Sequence, residues 1–255
     1  MQHQSFQDIN YQMSYNEVNR KWLQRQYYES SITIVTVLFS GYQTNIPHSI
    51  DVYNPEYVDK LYRGIARNFR GTFDFICLTD RNYKFKEPVI QERISMSVDE
   101  YGWMCMVDVY RPELCTTKRF TLGLDTIITG PLDDIFEHNT RIGLCGDPYT
   151  PQWICNAVTL ASPEFCEEYW NLWKGNTRDI MDNCLFFNVP SEMAVLRKYY
   201  NNEERLDRTF PGKILSYKAH VLPNPYVIEN SSIVYCHGEP KPHQITDEWI
   251  EEYWI

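Results

Sequence analysis

The chain changes character at residue 31. The first thirty residues are polar, with only a short amphipathic stretch over 17–29 that gathers Val18, Trp22 and Tyr27 on one side. They read as an N-terminal extension, residues 1–30. Residues 31–40 (SITIVTVLFS) are then an unbroken, β-branched apolar run ending at Gly41, the pattern of a strand buried on both faces. PEYVDKLYRGIARN, 55–68, carries Pro at its start and apolar residues at 58, 61, 62 and 65, which predicts an amphipathic helix. FDFICLT, 73–79, is a second buried strand and 89–94 a third. Strand, helix and strand of these lengths make a βαβ unit, which implies a parallel sheet with right-handed crossovers.

The pattern continues in the same style. Residues 103–110 read as helical, and 120–124 (FTLGL) as a strand running into Asp125, with Ile127 and Ile128 extending the apolar stretch. A short helical turn at 132–136, strands at 142–145 and 157–160, and helices at 163–173 and 191–200 follow. Residues 214–217 and 233–236 are short late strands, and 174–212 is polar and loop-rich. No repeat and no linker interrupts the pattern. The prediction is one α/β domain over 31–255, with a mostly parallel central sheet flanked by helices.

Composition narrows the function. Apolar residues are 43% and charged residues 23% of 255, which excludes wholesale disorder. With 24 Lys and Arg against 34 Asp and Glu, the net charge of −10 argues against non-specific binding to a phosphate backbone. No apolar run reaches transmembrane length and the first residues lack a signal-peptide core, so a cytoplasmic protein is expected. The eight cysteines include no CxxC pair, which removes zinc-finger spacing and leaves them as small buried hydrophobes. GxGxxG, GxxxxGK[ST] and GxSxG are all missing, which disfavours NAD enzymes, P-loop proteins and the hydrolase elbow.

In an open α/β sheet, ligands bind beyond the carboxyl ends of the strands. Ser40, Gly41 and Tyr42 follow the first apolar run, and Thr79, Asp80 and Arg81 follow the second. Asp125 follows FTLGL, Asp147 follows RIGLC, and His237, Gly238 and Lys241 follow IVYC. Each alone has the ordinary explanation of a turn residue. Together they bring acids, a His, a Lys and an aromatic to one rim. Ser40–Tyr42 and Thr79–Asp80 end adjacent strands and are expected to flank a base, with Tyr42 stacking on it.

These residues carry a resemblance. VTVLFSG, PEYVDKLYRGIARNFRGTFDFICLTDR, YRPEL, RFTLGLDTIITGPLDDIF, ICNAVTL, ILSYK and IVYCHGEPKPH resemble, in order, the segments of glycogenin-like glycosyltransferases of the GT-A (Rossmann-like) fold, of the compact kind found in bacteria and phages. The resemblance implies an enzyme that moves a sugar from a nucleotide-sugar donor, with UDP as the implied nucleotide. It also implies a divalent cation, Mn²⁺ or Mg²⁺, bridging the diphosphate. Such a cation neutralises leaving-group charge as it develops, and hard cations take carboxylate and imidazole donors.

The implied metal ligands are Asp125 and His237. The family's Asp-x-Asp pair reads Gly123-Leu124-Asp125 here, so the first carboxylate is missing, which opens space near the donor ribose or weakens the metal site. Where the family shows a Lys after a Trp pair, this chain has Met106, and Lys60 or Arg63 on the preceding helix are candidates to compensate. Lys241 matches the late Lys on the diphosphate, and Gly238 lies in the same HGEPKPH motif. Asn156 matches an Asn on the donor sugar. Glu192, where relatives show a Gln, and Asp147 are the carboxylates expected near the sugar, and with Asp125 they form the candidate catalytic set. The acceptor stays open among a glycan, a small molecule and a modified DNA base, and a binding protein that has lost turnover is the competing class.

Overall fold

In this computed structural model every position of β1 (Ile32–Leu38) is buried, as its unbroken apolar run requires. The structure describes residues 32–39 and 52–255. The N-terminal extension with its helix at 17–29, and the candidate base contacts Ser40, Gly41 and Tyr42, lie outside the described residues. Helix α1 (Pro55–Asn68) starts where Asn54 caps it, its side chain accepting from the Glu56 N–H, with Pro55 in the first turn. It buries Leu61 and Ile65 against the sheet. β2 (Phe73–Thr79) lies parallel to β1 over its whole length, Ile32 opposite Phe73 and Leu38 opposite Thr79, and β3 (Ile90–Arg93) lies parallel to β2. The βαβ unit read from the sequence is therefore present.

After α2 (Val98–Tyr101) and a 3₁₀ helix over Gly102–Tyr110 come β4 (Arg119–Leu122), β5 (Thr126–Ile128) and α3 (Asp133–Glu137). β6 (Ile142–Gly146), β7 (Ile154–Ala161), α4 (Pro163–Asn183), the hairpin β8 (Leu185–Phe186) and β9 (Val189–Pro190), and α5 (Glu192–Tyr200) follow. β10 (Glu204–Arg205), α6 (Leu206–Thr209), β11 (Ile214–Ser216), a π-helical turn at Tyr217–Val221, β12 (Ile233–Tyr235) and α7 (Trp249–Tyr253) complete the fold. Among the described residues, seven strands form the central sheet in the order β10-β6-β7-β4-β1-β2-β3, with β7 running against its two neighbours. This is the mixed α/β, mostly parallel, single-domain architecture expected. One sheet face packs on α1 and α3, the other on the 3₁₀ helix, α4 and α5. No described helix is long and apolar enough to cross a membrane. The cysteines are free, and all but the half-buried Cys155 are buried.

The structure departs from the pattern in two places. Ile127 and Ile128 do not extend β4. They form β5, which leaves the central sheet and pairs with β12 in a second sheet, β11-β12-β5. Apolar residues on both sides of Asp125 are buried, Leu122 and Leu124 before it and Ile127 and Ile128 after it, so hydropathy does not show that they belong to different sheets. Residues 174–183, read as loop, continue α4 beyond a non-helical Asn176. Past that kink Ile180 is the buried side chain, too few apolar positions to show a helical period.

Candidate functional site

Asp125 stands where the chain crosses from one sheet to the other. β5 and β12 are antiparallel with Thr126 opposite Tyr235, and the Cys236 N–H donates to the Asp125 carbonyl at 2.9 Å. That register brings residues 237–241 back over Asp125. Its Oδ2 accepts from Lys241 Nζ at 2.5 Å and from the Tyr53 hydroxyl at 2.8 Å. The ammonium also lies 5.1 Å from the Tyr53 ring centre. Burial first, then the Asp125 charge, raise the Tyr53 phenol well above its ordinary pKa, so it stays a donor. Tyr53 packs edge-on against Tyr57, whose hydroxyl bonds His243 Nδ1. The Lys241 loop is tied at its base. The Lys241 N–H donates to Gln244 Oε1 at 2.6 Å and the Gln244 N–H to the Lys241 carbonyl at 2.8 Å.

His237 enters the same site. Its Nδ1 is 3.3 Å from Ser216 Oγ, and the Tyr149 ring meets it edge-on at 5.5 Å. Its Nε2 is buried and has no hydrogen-bond partner among the described residues. Burial and, next, the Lys218 ammonium lower its pKa, which favours the neutral ring. Lys218 comes from the π-helical turn. Its Nζ lies 3.2 Å from where a Cβ on Gly238 would stand, and Gly238 has φ of +63°. An L side chain is therefore disfavoured there by both backbone and space.

A buried polar cluster lies on the neighbouring strand. The Gly123 N–H donates to the Ala157 carbonyl at 3.4 Å, which sets Asn156 beside residues 123–125. Asn156 Nδ2 donates to Glu192 Oε2 at 2.5 Å and the Tyr110 hydroxyl to Glu192 Oε1 at 3.0 Å. Glu192 is 2% exposed. Burial pushes its carboxyl up to about 7, against the pull of the two donors. Asn156 and Glu192, both expected on the sugar side, are thus brought together.

The remaining candidates have other partners. Asp147 accepts from the Tyr149 and Thr150 N–H groups on Oδ1 and from Arg197 Nη2 at 2.7 Å on Oδ2, so it fixes the loop that carries Tyr149. Lys60 pairs with Glu56 at 3.5 Å and stands 3.7 Å over the Trp254 ring, at a cleft of about 470 Å³ that includes Tyr57 and His243. Arg63 holds Glu87 and the Ile255 carbonyl. Neither has a hydrogen bond or ion pair to Asp125 or Lys241. Thr79 and Asp80 end β2 at the same sheet edge as Asp125. The Thr79 hydroxyl donates to the Glu92 carbonyl and Asp80 accepts from the Tyr83 hydroxyl. Met106 is partly buried against the core. The sequence reading missed Tyr53, Tyr110, Tyr149, Ser216 and Lys218. Of these Tyr110 falls in YRPEL, and Ser216 and Lys218 in ILSYK, segments it singled out without giving these residues a role, and nothing local marks a tyrosine as a neighbour of a distant acid.

The donor set bears on a cation. Asp125 and the free Nε2 of His237 are suitable donor types. Asp125 Oδ2 already holds an ammonium and a phenol, Gly123 offers no second carboxylate, and Asp147 is engaged. Among the described residues no group of three His, Cys, Asp or Glu side chains gathers around one point. The side chains described therefore do not form a metal site unaided.

Comparison with known proteins places the fold. No protein-family model matches the chain, and no curated protein matches its sequence. Solved structures do. The glycosyltransferase GlyE of Streptococcus pneumoniae TIGR4 superposes with a TM-score of 0.60 at 12% identity, over 89% of this chain and 60% of GlyE. The galactosyltransferase LgtC, solved with donor and acceptor sugar analogues, gives 0.57 at 10% identity over 86% of this chain and 93% of LgtC. The bifunctional glycosyltransferase WbbM gives 0.59 at 10% identity over 88% of this chain and 51% of WbbM. This chain thus spans three fifths of GlyE and about half of WbbM. At such identities the likeness is one of fold, the GT-A fold.

Proposed function

We propose that the chain is a glycosyltransferase that takes its sugar from a nucleoside-diphosphate sugar, with UDP as the nucleotide. The observation that carries this reading is the convergence of Asp125, His237 and Lys241 at the carboxyl edge of a GT-A sheet, beside the Asn156–Glu192 pair. In the reaction the bond between the anomeric carbon and the terminal phosphate oxygen breaks. A new bond forms to the acceptor oxygen, whose proton leaves for the diphosphate or solvent. Negative charge grows on the departing diphosphate, and donors already held in place stabilise it without reorganising. Lys241 supplies an ammonium there, and His237 a buried ring nitrogen that has no hydrogen-bond partner among the described residues. Asn156 and Glu192 face the sugar side, where positive character develops on the ring carbon.

The family resemblance implies a divalent cation held by Asp125 and His237, but among the described residues these two side chains do not make a metal site unaided. The net charge of −10 favours a glycan or small-molecule hydroxyl over a DNA base as acceptor. Purified protein incubated with a panel of UDP-sugars, with and without Mn²⁺, should release UDP from at least one, and Asp125→Asn should abolish the release. UDP release from none of the sugars, or equal release by the variant, overturns the reading. Gly123, where relatives carry an acid, favours a second reading, a nucleotide-sugar binder without turnover. UDP binding with no release or transfer would support it.

A further inference from the structure

We propose that Lys218 acts with Lys241 as a pair of counter-charges for the diphosphate, so that this site holds a nucleoside diphosphate without a divalent cation. The inference rests on the nucleotide-sugar reading above and says how that site neutralises its ligand.

Two lysines from different parts of the chain approach one loop. Lys241 is carried by the loop after β12, and Lys218, from the turn after β11, sets its Nζ 3.2 Å from where a Cβ on Gly238 in that loop would stand; the charges of both act on His237. Lys218 is held in place from its N-terminal side. Ser216 Oγ accepts from the Ala219 N–H at 3.3 Å, the Ser216 N–H donates to His220 Nδ1 at 2.9 Å, and the Leu222 N–H closes the π turn on the Tyr217 carbonyl at 2.8 Å. Its ammonium packs on the bare Cα of Gly238, within the loop that carries Lys241. No ion pair to Lys218 occurs among the described residues, so it is a charge placed in the site without an anion of its own. His237 adds a third donor. When the Ser216 hydroxyl donates to Nδ1, the proton lies on the buried, unpartnered Nε2, which then suits a phosphate oxygen and not a cation.

The acids point the same way. A cation bridging a diphosphate needs carboxylate oxygens free to face it. Asp125 Oδ2 is occupied by Lys241 and Tyr53, and Asp147 by Arg197 and two amides. A Cβ at Gly123 would stand 2.9 Å from Asp125 Oδ1, so the loss of a side chain there makes room for the carboxylate orientation that meets Lys241. The ammonium and the phenol both lie on Asp125 Oδ2. Lys60 and Arg63, the other cations considered for this task, are committed elsewhere.

Calorimetric titration with UDP, uridine and inorganic pyrophosphate, each in EDTA and in Mn²⁺, tests this. UDP and pyrophosphate should bind in EDTA, with Mn²⁺ changing the UDP dissociation constant less than about threefold. Lys218→Ala should weaken UDP and pyrophosphate by about tenfold or more, the range for a charge-assisted hydrogen bond, and leave uridine unchanged, while Lys218→Arg recovers part of the loss. An unchanged melting curve for Lys218→Ala separates this from misfolding. UDP binding that requires Mn²⁺, or that ignores Lys218→Ala, overturns the lysine pair and leaves the nucleotide reading standing. Pyrophosphate binding with no gain for UDP overturns the nucleotide reading instead. Failure of all three ligands in both conditions overturns both.

Discussion

Lys241 Nζ lies 2.5 Å from Asp125 Oδ2, in a pair whose side chains are only 12% and 18% exposed. At that burial an ion pair is screened far less than at the surface, and removing one partner leaves the other desolvated and unmatched. Lys241 and Asp125 therefore neutralise each other in the free protein. A phosphate ligand has to draw the ammonium away from the carboxylate, and Asp125 is left with the Tyr53 hydroxyl.

Lys241→Ala should weaken UDP by about 1.5–3 kcal/mol and uridine by much less, because the lost contact is to phosphate. Titration of both ligands into the variant measures the difference, and an equal loss would place Lys241 elsewhere.

Tyr53→Phe removes one of the two donors on Asp125 Oδ2 and keeps the ring that packs on Tyr57. The expected cost is about 1.5–3 kcal/mol of stability, because the acceptor is charged. Urea denaturation gives the number. No change would mean that water replaces the phenol without loss.

Gly238→Ala places a Cβ at φ of +63° and 3.2 Å from Lys218 Nζ. Backbone strain should cost about 1 kcal/mol or more, and the displaced ammonium should lower UDP affinity as well. The two readouts are separate, since thermal melting reports the strain and calorimetry the ammonium.

Glu192 gives a pH signature. Its carboxyl is pushed up to about 7 by burial, whereas an unfolded glutamate titrates near ~4.3. Between those values the folded state keeps a proton that the unfolded state has lost. Its stabilising contribution is complete below about 4.3, declines as pH rises to about 7 and is flat above, on the order of 3 kcal/mol in all. Glu192→Gln abolishes the titration, so its melting temperature relative to wild type should be higher at pH 8 than at pH 5. The same offset at both pH values would show that Glu192 ionises normally. Lost or reoriented hydrogen bonds to Tyr110 and Asn156 shift both values alike and do not mimic the slope.

The sequence by itself determined the βαβ start and the class of fold. Apolar runs such as 32–38 and 73–79 are long enough that burial on both faces is their stable arrangement, and Asn54-Pro55 fixes where α1 begins. It also picked out Asp125, His237 and Lys241, because residues that follow buried strands collect at one edge whatever the details of the turns. Tertiary structure decided the rest. The turn of Ile127 and Ile128 into a second sheet, which sets the β5–β12 register that joins Asp125 to Cys236, leaves no mark in a hydrophobic run buried either way. Tyr53, Lys218 and Tyr110 gain their roles from partners far along the chain. Local sequence records what a residue is able to do, and only long-range packing decides which charge or carboxylate it meets.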